Sequence, residues 1–167
     1  MLNIAVLVSG GGTNLQALID AIEQGTIKGK ISMVVSTNRN AFALERAKKH
    51  GIPIAVIEKK DNADFQQRLL SHLKKNHIDL IVLAGFMSIL GEEIIDAYPK
   101  KIINVHPSLI PSFCGHGYYG LKVHKAALEY GVKVTGATVH YVNKIVDGGE
   151  IIMQKAVEVL PQDTPEI

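Results

Sequence analysis

Asn104-Val105-His106 sets an amide and an imidazole two residues apart. In a strand, residues i and i+2 project on one face, so Asn104 and His106 stand together while Val105 packs opposite. A hydrogen-bond donor is thereby paired with the side chain that most readily exchanges a proton near neutral pH. For His106 taken alone, a core histidine bonded to backbone is the alternative. The adjacent amide and the Pro-rich loop that follows favour a site. A second feature, Ser9-Gly10-Gly11-Gly12-Thr13-Asn14, joins an apolar run to an amphipathic one, where free N–H groups and a helix dipole attract an anion. A tight turn with φ > 0 is the alternative here, but a turn alone rarely needs three glycines followed by Thr and Asn. The loop is no dinucleotide fingerprint. Leu15 stands where the third glycine of G-x-G-x-x-G belongs, and Ser36-Thr37-Asn38-Arg39-Asn40 offers no acid for a ribose diol. Nor does Gly-Lys-Ser/Thr follow, as a P-loop requires, so one phosphate monoester fits better than NAD or ATP.

Asp147, followed by Gly148 and Gly149, is the third element, although Asp-Gly-Gly by itself is chiefly a turn signal. Of the other histidines, His50, His72 and His77 fall on lysine-rich helix ends and read as solvated. His124 and His140 are candidates to line the same cleft, while helical spacing with Ala127 and Leu128 equally permits His124 to pack half-buried. His106, His116, His124, His140 and Asp147 lie near one another in sequence, but neither H-E-x-x-H nor paired-cysteine spacing is present, so no metal is expected. Cys114 reads as packing rather than as a nucleophile.

The elements that must position these residues alternate along the chain. Asn3–Ser9, Ile31–Val35, Ile54–Ile57, Asp79–Ala84 and Lys101–His106 are apolar runs without alternation, as expected of strands buried on both faces. Between them, Thr13–Gly25, Ala41–His50, Asp64–Asn76 and Gly91–Tyr98 carry helical spacing. Thr13 or Asn14 is available to cap the first helix, Asp61-Asn62 the third, and Gly51 suits a left-handed stop for the second. This predicts a Rossmann-like, doubly wound α/β sheet, mostly parallel, with helices on both faces. Asn104 and His106 then lie at a strand's C-terminal end, where such sheets place their sites. Beyond the loop at Pro107–Gly117, Tyr119–Tyr130 reads as a helix. Val132–Val142 and Glu150–Val159 read as an antiparallel edge hairpin around Asp147-Gly148-Gly149.

Composition limits what this arrangement can be. At 167 residues, 47% hydrophobic and 20% charged, the chain has the content of one folded domain, 1–167. Eighteen Lys+Arg against 16 Asp+Glu never gather into a tract, so neither nucleic acid nor membrane is demanded. With a single Cys no internal disulfide forms, no signal peptide is visible, and a cytoplasmic address is expected.

Together, Ile4–Gln16, Leu83-Ala84-Gly85-Phe86-Met87, Asn104–Pro111 and Gly136–Val142 through Gly149 resemble the glycinamide ribonucleotide formyltransferases of purine synthesis. The resemblance runs nearly the whole chain. It implies transfer of a formyl group from 10-formyltetrahydrofolate to the amine of 5′-phosphoribosylglycinamide, with small molecules as the partners, in a monomer or homodimer. It implies that Asn104, His106 and Asp147 are catalytic and that Gly12, Thr13 and Asn14 hold the phosphate. Met87, Ser88, Ile89, Leu90, Asn104, Asn143, Val146 and Asp147 are implied to border the folate pterin. The phosphate-binding half is then about 1–100, and the catalytic and folate-binding half about 101–167.

The chain departs from the family pattern at several places. Ser88 replaces an arginine, Asn62 a basic residue near the folate tail, and Gly11 an asparagine. The loop Ser112–Gly120 is longer than in some relatives. Thr164-Pro165-Glu166-Ile167 resembles the start of the family's C-terminal helix; a chain ending at Ile167 is expected to have a less protected sheet face and weaker ribose recognition. Relatives with the same catalytic trio formylate methionyl-tRNA or hydrolyse formyl-folate, and a non-catalytic binding module is a further alternative.

Overall fold

The computed structural model describes residues 1–167. Seven strands form a mixed sheet, mostly parallel and antiparallel at its C-terminal strands, flanked by five helices, which bears out the doubly wound α/β expectation. Two compact units divide the chain, Met1–Ile102 and Ile103–Ile167.

In the first unit the strands are β1 (Leu2–Val8), β2 (Gly29–Ser36), β3 (Ile54–Val56) and β4 (Leu80–Leu83), in the spatial order β3-β2-β1-β4. All these pairings are parallel. Five consecutive residues of β1, Ile4 to Val8, are buried, because a strand with neighbours on both edges and covered faces has no side turned to water. The start of β1 is fixed by polar contacts. The Asn3 backbone N–H donates to Asp79 Oδ2 at 2.8 Å, and its side-chain amide donates to the His77 carbonyl at 3.2 Å.

The helices of this unit are α1 (Thr13–Glu23), α2 (Phe42–Lys49), α3 (Asn62–Lys75) and α4 (Glu92–Ala97). Asp61 caps α3 by accepting the Asp64 N–H at 2.8 Å, while Phe65, Gln66, Leu69 and Leu73 form its buried stripe. At the end of α2, Gly51 adopts φ 67°, with its N–H on the Lys48 carbonyl and that of Ile52 on the Ala47 carbonyl, a Schellman closure that satisfies the last carbonyls. Two expectations are corrected. Gly12, not Thr13 or Asn14, occupies the N-cap of α1, and no side chain caps that end. His50 is not simply solvated: its Nδ1 lies 2.8 Å from Glu23 Oε1 and its side chain is 22% exposed. A helix end read from sequence gives no hint of which neighbouring helix its side chain will meet.

In the second unit, which takes all of β5 (Ile102–His106) but its first residue, β5 pairs antiparallel with β6 (Val134–Tyr141), and β6 with β7 (Ile151–Glu158). The edge hairpin is thus borne out, with β6 three residues and β7 two residues shorter than its apolar run. Helix α5 spans Leu121–Tyr130, starting two residues later than its pattern because Gly120, at φ 55°, breaks the chain before it. Thr138 on β6 organises the loop after β5. Its hydroxyl donates to the Ser108 carbonyl at 2.7 Å and accepts from the Ile110 N–H at 3.0 Å. Every residue of β7 is exposed.

Candidate active site

In the first unit, Ser9–Asn14 line a cleft of about 240 Å³ together with Ala84, Gly85 and Met87. Gly12 sits at φ 77°, and a side chain there would run into Ala43 of α2. Its carbonyl receives the first helical bond, from the Gln16 N–H at 2.9 Å. The N–H groups of the first turn of α1, with no side-chain cap, are therefore left for an anion. Thr13 and Asn14 are exposed beside them.

The same unit holds Met87–Leu90. Ser9 Oγ accepts the Met87 N–H at 3.0 Å, tying this stretch to the glycine loop. Farther along, the buried Gln66 clamps it, donating to the Ile89 carbonyl at 3.0 Å and accepting the Gly91 N–H at 2.7 Å. Met87 and Ile89 are 53% and 56% exposed, two apolar side chains held in water by a pinned backbone. Ser88 is half-buried, and Leu90 turns into the core. This surface suits the face of a flat heteroaromatic ring. The clamp by Gln66 is invisible in sequence, since an apolar helix face with one glutamine on it reads as packing.

In the second unit, β5 places Asn104 opposite His140 and His106 opposite Thr138. His140 is buried, and its Nδ1 lies 2.9 Å from the Tyr141 carbonyl, which only accepts, so Nδ1 carries the hydrogen. Nε2 is then the acceptor for Asn104 Nδ2 at 3.1 Å. That bond fixes which way the Asn104 amide points and leaves its second Nδ2 hydrogen for another acceptor. The cleft reading of His140 thus becomes a supporting one. The signal was its position on a strand opposite Asn104, a register that residue types do not specify.

His106 is 4% exposed. Its Nε2 donates to the Phe113 carbonyl at 2.8 Å, and its Nδ1 lies 3.6 Å from Asp147 Oδ1. Asp147, in the left-handed region at φ 54°, accepts the Gly115 N–H on Oδ2 at 2.8 Å, so the carboxylate is held from the opposite side. Gly149 belongs to the same turn, and the Tyr141 carbonyl occupies the place any side chain there would need. His106 and Asp147 are thereby brought together, with Asn104 two residues before His106 on the same strand. Asn143 is exposed and accepts the Ile145 N–H, and Val146 is half-buried on the way to Asp147. His116 and His124 do not join the trio, and no three His, Cys, Asp or Glu side chains converge as a metal-binding group.

Cys114 lies nearby, its thiol pushed above the usual cysteine value by burial and then by the Asp147 charge. It stays protonated at neutral pH and is a poor nucleophile. We expect iodoacetamide to alkylate it more slowly than free cysteine at pH 7, the rate rising only at alkaline pH. A mass-spectrometric time course checks this; fast labelling at pH 7 would contradict it.

Known proteins resemble this chain over nearly its full length. The sequence profile of the family described as Formyl transferase matches residues 2–167. Phosphoribosylglycinamide formyltransferase of Haemophilus influenzae is 43% identical, over 99% of this chain and 77% of its own. The chloroplastic phosphoribosylglycinamide formyltransferase of Arabidopsis thaliana is 39% identical over 98% of this chain, which spans 57% of the plant protein. Glycinamide ribonucleotide transformylase 1 from Symbiobacterium toebii has a TM-score of 0.93 at 41% identity, covering 99% of this chain and 77% of that one. The chain belongs to the formyl transferase family, whose members take their formyl group from a formyl-folate.

Proposed function

We propose that this chain transfers the formyl group of 10-formyltetrahydrofolate to the amine of 5′-phosphoribosylglycinamide, a step of de novo purine biosynthesis. The observation that carries the reading is the Asn104, His106 and Asp147 arrangement, with Asn104 held by His140 and Asp147 by Gly115. Gly12, Thr13 and Asn14 receive the ribonucleotide phosphate on backbone N–H groups. Met87 and Ile89 of the first unit meet the pterin, with Ser88 and Leu90 beside them.

The reaction asks for little beyond what these residues offer. The amine nitrogen attacks the formyl carbon, the C=O π pair moves onto oxygen, and a tetrahedral oxyanion forms. The free Nδ2 hydrogen of Asn104 donates to that oxygen. The Nε2–H of His106, now donated to the Phe113 carbonyl, turns to the same oxygen, the carbonyl serving as its stand-in. Collapse of the oxyanion restores C=O and breaks the bond to folate N10. The proton leaving the attacking nitrogen ends on N10, with Asp147 guiding its passage at Nδ1 of His106 or through a water. No covalent enzyme intermediate is required, and holding the two reactants together supplies much of the rate.

The hydrolytic alternative is separated by one comparison. Release of tetrahydrofolate should depend on the ribonucleotide and be near background without it. Equally fast release in its absence would replace this reading with hydrolysis, and tight binding of both substrates without release would make the chain a binding module.

A further inference from the structure

We propose that Arg46 of α2 is a positioning residue for the phosphate site, holding the glycine loop with its carbonyls turned away from the ligand. Arg46 does not line the cleft. Its Nε donates to the Gly11 carbonyl at 2.8 Å, and Nη1 reaches Gln16 Oε1 at 3.4 Å. Its guanidinium lies 5.0 Å from the centroid of the Phe42 ring. One turn earlier on the same helix, the Ala43 N–H donates to the Gly10 carbonyl at 3.0 Å.

In a trans peptide the C=O and the following N–H point in opposite directions. A carbonyl drawn toward α2 therefore sends the next N–H the other way. Pinning Gly10 O fixes the Gly11 N–H, and pinning Gly11 O fixes the Gly12 N–H. Three glycines in a row resist no rotation of their own, so an unpinned loop would spend much of its time with a carbonyl dipole facing the anion. Ala43 and Arg46 Cδ also pack against Gly12, leaving no room there for a side chain. The partners of Arg46 are a carbonyl, an amide oxygen and an aromatic face, all neutral, so its positive charge is not spent on a carboxylate and adds to the attraction for phosphate.

The inference rests on the phosphate reading above, and the test separates the two. Inorganic phosphate is titrated into the whole chain while the amide resonances of Gly11, Gly12, Thr13 and Asn14 are followed by NMR, and steady-state constants are measured in parallel. In Arg46→Gln the phosphate Kd should rise about tenfold, equivalent to ~1.4 kcal/mol. KM for the ribonucleotide should rise by a similar factor, with kcat and KM for the formyl donor unchanged. Arg46→Lys keeps the charge but not the planar fork that spans Gly11 and Gln16, so it should recover only part of the affinity. If the Gln variant fails to fold, the Lys variant decides alone. Unchanged phosphate affinity in Gln, or full recovery in Lys, overturns the positioning role and leaves the phosphate site standing. Loop amides that do not respond to phosphate in the unsubstituted chain overturn the phosphate reading and this inference with it.

Discussion

His106→Ala lowers kcat for formyl transfer by about 10²–10⁴-fold, the usual worth of a positioned proton-transfer group. The ribonucleotide KM should move far less, because the proposed phosphate cleft is lined by residues 9–14 with Ala84, Gly85 and Met87, whereas His106 is bonded to Phe113 and faces Asp147. The asymmetry follows from where His106 spends its hydrogen bonds. Nε2 is given to a main-chain carbonyl and Nδ1 faces Asp147, so the ring is oriented from two sides before any substrate arrives. Asp147→Asn keeps the bond from the Gly115 N–H but removes the charge beside Nδ1, and its loss should lie on kcat as well. Because His106 is nearly fully buried, the thermal midpoint of each variant is measured alongside. A His106→Ala protein that folds and retains kcat within a few-fold would remove His106 from the chemistry.

In the proposed mechanism Asn104→Ala removes the donor to the developing oxyanion, with an expected loss of about 10²–10³ in kcat or ~2.7–4 kcal/mol, as in comparable sites. Its bond to His140 makes a further distinction possible. Asn104→Asp preserves shape but puts an acceptor where His140 Nε2 offers a lone pair, so it both loses the donor and unsettles the orientation. It should therefore be no better than alanine, whereas a purely steric role for Asn104 would leave it close to the unsubstituted chain. Combining Asn104→Ala with His106→Ala should cost less than the product of the single losses, since both act on one oxygen. Losses that multiply would mean that the two side chains serve separate steps.

Much of this was legible before any coordinates. Uninterrupted apolar runs such as Ile4–Val8 mark buried parallel strands because burial on both faces removes the reason for alternation. The glycine loop reads as an anion site because a turn alone rarely needs three glycines followed by Thr and Asn, and Asn104 with His106 falls on one face by the period of a strand. The supports of these residues were not legible. Gln66, Arg46, Thr138 and His140 each act through a partner far away in the chain: 23, 35, 30 and 36 residues respectively. No local pattern encodes such a pairing, since it depends on strand register and helix docking. Capping failed locally for a related reason. Thr13 and Asn14 are good cap residues, yet Gly12 takes the position because Ala43 and Arg46 press on it.

In the proposed reaction the formyl group passes directly to the ribonucleotide amine. A single-turnover experiment with 10-formyltetrahydrofolate labelled with ¹³C in the formyl group, enzyme in excess and 5′-phosphoribosylglycinamide present, follows that carbon itself. The label should appear on the glycinamide nitrogen as fast as tetrahydrofolate appears, with no formate and no formylated protein along the way. Label recovered as formate, or held on the protein before reaching the amine, would contradict the account.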